Sequence, residues 1–352
     1  MMIEFIFATI LIPLAALITG FLIPGLERKI QARIQQRIGP PILTPGFWAI
    51  LKFFYKEKIK PNSPMPRLFH SLPIIGVFVM FFAVLFTTPK WWNVNALGTV
   101  VAVVGLLKVI EFLFMAIGSF SRSILSVSMP YADQIKGAVM KGDYRRFFEQ
   151  QSVLRAFKMI TVGSFPLYIA MFVPVILVKS INFSDIVQFQ GFDSSFIFPG
   201  GIIDLMYLEK ILSLKPILFT FPGLIAGFVY FIGYIMVLNE YPFSIEKAKS
   251  DVIEGPSLEY ASWARGGYYL MRESILFALS SVFITLFIGL PPTLNLTLLV
   301  VHCLLCLIMP ILFSIVSAFS PIFTFKQVYP VSMGFTALGF LAMVVSLVMG
   351  VV

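Results

Sequence analysis

The chain has 352 residues, of which 59% are hydrophobic and 12% charged, roughly half the charged share of an ordinary soluble domain. So little charge cannot cover a water-facing surface of this size, which excludes a soluble globular enzyme, a disordered chain and a disulfide-stapled secreted domain. Lys and Arg number 26 against 17 Asp and Glu, a net charge of +9; alone, that excess fits nucleic acid, anionic lipid or membrane topology.

A helix needs about 20 apolar residues to cross the bilayer core. Eight stretches qualify: 3–25, 69–88, 96–120, 156–178, 216–238, 274–290, 294–319 and 331–352. The fold expected is all-α and integral to the membrane, a single polytopic domain over 1–352. The first span carries Glu4 and precedes a basic loop, so it does not read as a removable signal peptide. The sixth is short and stops at Pro291-Pro292, which points to a tilted or broken helix.

The loops between spans carry most of the charge. The loop 26–68 holds nine bases: Arg28, Lys29, Arg33, Arg37, Lys52, Lys56, Lys58, Lys60 and Arg67. Within it, 46–58 places Phe47, Ile50, Leu51, Phe54 and Tyr55 on one helical face, the pattern of an interfacial amphipathic helix. The loop 121–155 contains a polar insertion at 129–152, long enough for a short helix or hairpin. The loop 179–215 has its own apolar stretch at 196–214, which reads as a short surface helix. The loop 239–273 holds six acids, Glu240, Glu246, Asp251, Glu254, Glu259 and Glu273, against four bases. A last loop, 320–330, carries Lys326. Of the 26 bases, 21 fall on one side and four on the other. The positive-inside rule puts the first side in the cytoplasm, with both termini outside and the chain multi-pass in the cell membrane.

Few residues offer chemistry. Cys303 and Cys306 form a C-x-x-C inside an apolar run with His302 beside it, which reads as buried packing rather than a metal or redox site. No G-x-G-x-x-G, P-loop or nucleophile elbow appears, so no catalytic residue is assigned, and no metal or cofactor is expected on this chain. Lys108 and Glu111 stand three apart in the third span and share a helical face. Charge at that depth is expensive, and the pair reads either as part of an ion path or as a structural ion pair facing another helix. The acidic loop is either a carboxylate chain or a solvated face. The basic segment 28–37 binds lipid headgroups or an acidic partner. No nucleic acid partner is expected, because the bases follow topology.

Two segments resemble a known family. The stretch 27–41 (ERKIQARIQQRIGPP), followed by the amphipathic helix and Lys60-Pro61, is similar to the first cytoplasmic loop of the complex I H-subunit family. That family comprises subunit 1 of NADH:quinone oxidoreductase and its relatives in energy-converting membrane-bound hydrogenases and archaeal membrane-bound sulfane sulfur reductase. Pro242-Phe243 with Asp251, Glu254-Gly255-Pro256 and Glu259-Tyr260 resembles the hydrogenase-type branch more than the quinone type. The resemblance implies a non-catalytic subunit of a ferredoxin-driven complex, which anchors a peripheral arm and couples electron transfer to H+ or Na+ translocation. Iron–sulfur clusters and a NiFe-like centre belong, on that reading, to partner subunits, and antiporter-like membrane subunits adjoin. It places Arg28, Arg33, Arg37, Gly39 and Pro40 at the arm and Glu246, Asp251, Glu254, Glu259 and Tyr260 in the coupling loop. Several acids of the family pattern are replaced: Val237 with Glu240 nearby, Ser164 in the fourth span, and Ser244, Lys247 and Lys249 after Pro-Phe. The rival from another class is a stand-alone secondary transporter.

Overall fold

The computed structural model describes residues 2–59, 61, 63, 65–92, 95–120, 147–192, 214–244 and 260–349. Among them there is no β-strand beyond one isolated bridge, Thr99 to Asn182. The helices longer than one turn are α1 Met2–Ile34, α2 Ala49–Phe54, α3 Pro66–Phe86, α4 Val100–Phe120, α5 Phe147–Val178 and α6 Phe183–Phe189. They continue as α7 Phe221–Val237, α8 Ser262–Phe283, α9 Leu296–Cys306, α10 Ile308–Phe319 and α11 Phe325–Met349. Seven stretches among the described residues are long and apolar enough to span a bilayer, with α9 and α10 together making one. The expected fifth span is the shorter α7, 17 residues or about 26 Å at helical rise.

The bundle is built around α5 and α8. Helix α5 packs against α4, α7 and α11, while α8 packs against α3, α1 and α2. Prolines inside these helices free backbone carbonyls, which cannot stay unpaired in an apolar interior. Pro73 in α3 leaves the carbonyl of Phe69 without its helical donor, and the buried Tyr260 hydroxyl donates to it at 2.9 Å. Pro166 does the same to Val162 in α5, and Ser332 of α11 donates there at 2.6 Å. Each proline thus fixes a tertiary hydrogen bond to a neighbouring segment.

Helix α1 does not stop at residue 25. Its last turns, through Glu27 to Ile34, are good helix formers, so Arg28, Lys29 and Arg33 project from helix rather than loop. The chain then reverses through Gln36 (φ 59°) and Gly39 (φ 71°), and Arg37 N–H donates to Ala32 O at 2.6 Å, a left-handed helix stop. It returns along α1 so closely that a Cβ on Gly46 would lie 2.0 Å from Phe21 O.

The amphipathic segment is shorter than 46–58: a wide turn, Thr44–Trp48, runs into α2. Its inward residues are Ile50 and Phe53, the latter stacked on Tyr269 at 5.5 Å. Of the face expected from sequence, Phe47, Phe54 and Tyr55 stay exposed. The insertion 129–152 is described only from Phe147, already part of α5, and the stretch 196–214 only at Leu214.

The largest departure is the sixth span, which starts at Ser262, not 274. Hydropathy assigns 262–273 to a loop because it contains Arg265, Arg272 and Glu273. The fold buries Glu273 and most of Arg272 inside the bundle, and Glu240 with them. The span ends in a wide turn, Ile284–Ile288, at Gly289 (φ 81°), just before the Pro pair.

Candidate functional site

Three segments, α1, α8 and the turn after α7, bring charge together in the interior. Arg272 of α8 pairs with Glu240, which follows α7, and its Nη2 lies 3.9 Å from Glu27 Oε2 of α1. Glu240 and Glu273 are 4% exposed. Three carboxylates, those of Glu27, Glu240 and Glu273, thus act electrostatically on one guanidinium. A change in the charge of one member is felt by the others through low-dielectric surroundings.

Helix α1 links this cluster to the surface. Gln31 Nε2 donates to Glu27 Oε1 at 3.3 Å and to Ser317 Oγ of α10 at 3.1 Å. Gln31 also lines a cavity of about 280 Å³ with Arg28, Ala32, Arg37, Gly39 and Pro40. Four of the five residues expected at a docking face therefore share one basic cavity. Arg33 is exposed and does not line it.

On its other side Arg272 borders an inner cavity of about 50 Å³, walled by Glu111, Tyr168, Asn239 and Tyr268 together with apolar side chains such as Leu107 and Ile275. That volume holds more than one water molecule. Asn239 Oδ1 is buried without a protein hydrogen-bond partner, an acceptor suited to water from this cavity. At the far wall, Lys108 Nζ donates to both oxygens of Glu111, at 2.9 and 2.8 Å, and to Ser164 Oγ at 3.0 Å. Tyr168 donates to Glu111 at 2.8 Å, and its ring lies 4.5 Å beneath the ammonium. The Lys108–Glu111 pair expected from spacing is present, and Ser164, where the resemblance led one to expect an acid, is one of its partners.

Of the residues expected in a coupling loop, Tyr260 is the one among the described residues. It is buried, stacked on Phe69 at 4.3 Å and near Tyr268 at 5.9 Å. Burial pushes its hydroxyl pKa up, so it remains a neutral donor to Phe69 O. Glu246, Asp251, Glu254 and Glu259 lie outside the described residues.

The sequence reading missed Arg272, Glu27 and Asn239 as site residues and treated Glu240 and Glu273 as loop acids. The available signal was positional: Glu240 directly follows one span, and Arg272 immediately precedes the stretch read as the next, so the helices place them side by side. A second polar cluster was read as packing. His302 Nδ1 donates to Leu290 O at 2.8 Å, and its Nε2 faces Ser281 Oγ at 2.9 Å and Cys306 Sγ at 3.4 Å. Among the described residues, no group of three or more His, Cys, Asp or Glu has a metal-binding arrangement.

Residues 6–129 and 144–349 match the model of a family described as NADH dehydrogenase. An uncharacterized protein of Methanocaldococcus jannaschii is 38% identical over 347 residues, 98% of this chain and 99% of that protein. The H-subunit of NADH-quinone oxidoreductase from Helicobacter acinonychis is 24% identical over 270 residues, 75% of this chain and 72% of that protein. Its counterpart from a Geobacillus species is 27% identical over 271 residues, 75% of this chain and 67% of that protein. A chain in the structure of the membrane-bound sulfane sulfur reductase, an archaeal respiratory membrane complex, superposes with a TM-score of 0.73. Its identity is 21%, and the match covers 97% of this chain and 99% of that chain, a likeness of fold.

Proposed function

Since this chain belongs to the NADH dehydrogenase family, we propose that it is the non-catalytic membrane subunit of a ferredoxin-driven redox complex of the hydrogenase or sulfane sulfur reductase type. On this reading it anchors a peripheral arm carrying iron–sulfur clusters and a NiFe-like centre. It couples electron transfer there to movement of H+ or Na+, beside antiporter-like membrane subunits, in the cell membrane with both termini outside.

The observation that carries the coupling role is a polar line through an apolar bundle. It starts in the basic cavity at Arg28 and Arg37 and passes through Gln31 and Glu27 to Arg272. It then crosses the inner cavity to Glu111 and Lys108. Glu27 and Arg28 are neighbours in sequence, the first turned to the cluster and the second to the cavity. A charge change at the docked arm therefore acts on Glu27 from close by. Opposite charges 4 Å apart interact by about 4 kcal/mol at an effective dielectric constant of 20, enough to move a proton or cation between neighbouring carboxylates.

The test uses the whole complex. A tag on this chain should bring iron–sulfur and NiFe-like subunits out of gently solubilised membranes, and the complex should move ions when reduced in liposomes. Arg28→Glu with Arg37→Glu should release the peripheral subunits while the chain still inserts. A chain that purifies alone and transports a solute by itself would overturn the proposal in favour of a secondary transporter.

A further inference from the structure

A cavity of about 450 Å³ opens between α2 and the start of α8, lined by Phe53, Lys56, Glu57, Ile59, Tyr260 and Arg265 together with Ala261 and Ser262. It shares no residue with the basic cavity at Arg28 and Arg37. Three cations crowd around one ring here. Lys52 Nζ lies 6.0 Å, Lys56 Nζ 5.4 Å and Arg265 Cζ 5.8 Å from the centroid of Phe53. Phe53 is held by its stacking on Tyr269, and Ser262 Oγ ties the two walls together by donating to Lys56 O at 2.6 Å. An aromatic face attracts a cation but carries no net charge, so the crowding calls for an anion. Among the described residues no carboxylate lies within 4 Å of the Lys52 or Lys56 ammonium. Counting Glu57, the lining carries a net charge of about +1, the complement of one phosphodiester.

The second observation is where the cavity lies. Helix α8 begins at Ser262 on its wall, and α3 begins at Pro66, shortly after Ile59. Both helices belong to stretches able to span a bilayer, so the cavity sits at the level where the spans meet water. Trp48, Phe54, Tyr55 and Ile59 are exposed around it, and aromatic side chains of this kind settle among lipid headgroups. The cavity at Arg28 and Arg37 has no large apolar side chain in its walls.

We propose that the cavity between α2 and α8 binds the headgroup of an anionic phospholipid, with Lys56 and Arg265 on the phosphate and Phe53 and Ile59 against the start of the acyl chains. Basic pockets beside membrane helices at this level recognise such headgroups. Free phosphate would satisfy the cations but leave the apolar wall and rim uncovered. An acidic segment of a protein partner would set polar backbone against the same rim. The inference requires only that this chain spans a membrane, and it holds whatever reaction the complex carries out.

The experiment is native mass spectrometry of the tagged full chain, with every subunit that accompanies it, stripped of lipid and mixed with equal amounts of phosphatidylglycerol and phosphatidylcholine. The wild type should retain one more phosphatidylglycerol than Lys56→Gln with Arg265→Gln, and should prefer it at that site about 30-fold, as two bases acting on one phosphate imply. Arg265→Lys, which keeps the charge, should retain most of the preference. A photo-crosslinking amino acid at Ile59 in native membranes should join lipid. Equal retention of phosphatidylglycerol by wild type and double variant overturns the inference. So does its displacement by inorganic phosphate, which makes the ligand a free anion, or crosslinking of Ile59 to protein alone, which makes the cavity a protein contact.

Discussion

Two polar clusters are buried in this bundle, and they differ in kind. His302, Ser281, Cys306 and the Leu290 carbonyl form a closed, neutral group between α8 and α9, in which both ring nitrogens of His302 have partners. Glu27, Glu240, Glu273 and Arg272 form a charged group, open on one side to a cavity and linked on the other to Gln31. Burial and hydrogen bonding are common to both. Ionised side chains and a bordering cavity mark the second, and these are what allow a site to change its charge rather than merely hold a fold.

The comparison can be broken from several directions. Arg272→Leu should have the largest effect, since it leaves buried carboxylates uncompensated, a loss of about 3–5 kcal/mol. Thermal unfolding of the detergent-solubilised protein should show it, and a near-wild-type midpoint would mean that the cluster is hydrated rather than buried. His302→Leu should come next. It strands Ser281 and Leu290 O at about 1–3 kcal/mol for each unsatisfied group, yet leaves the ions moved per electron unchanged in the assembled complex. A fall in that ratio would erase the distinction between the clusters. Tyr260→Phe removes the donor to the carbonyl freed by Pro73, and its effect is smaller, about 1–3 kcal/mol. Substituting Pro73→Ala in the same chain should recover part of the lost midpoint, because the helix then supplies its own donor. The smallest change is expected for Cys306→Ala, at the margin of the neutral cluster.

Much of this was legible in the residues. Long apolar runs gave the spans, and the motifs at 27–41 and 242–260 pointed to the family that the comparisons bear out. The spacing of Lys108 and Glu111 gave their pairing. The hidden part was the interior charge of α8. Hydropathy scores Arg265, Arg272 and Glu273 one at a time, as if each faced lipid. In the fold Arg272 is neutralised by Glu27 and Glu240, which are 245 and 32 positions away in sequence, so the stretch 262–273 spans as helix where a window read loop. The same cause concealed the partner of Arg272 near Val237. Glu240, just past the end of α7 and three residues beyond the Val237 at which the resemblance led one to expect an acid, pairs with Arg272.

The central claim is that the charged cluster carries coupling and does not only stabilise the bundle. The direct measurement is the number of ions moved per electron by the intact complex in liposomes, wild type against Glu240→Gln, at matched electron-transfer rate and with assembly verified. The amide preserves shape and an acceptor for Arg272 but cannot exchange its charge. A coupling role predicts that the ions moved per electron fall to near zero while the peripheral subunits stay bound. An unchanged ratio would contradict it and leave Glu240 as a structural partner of Arg272.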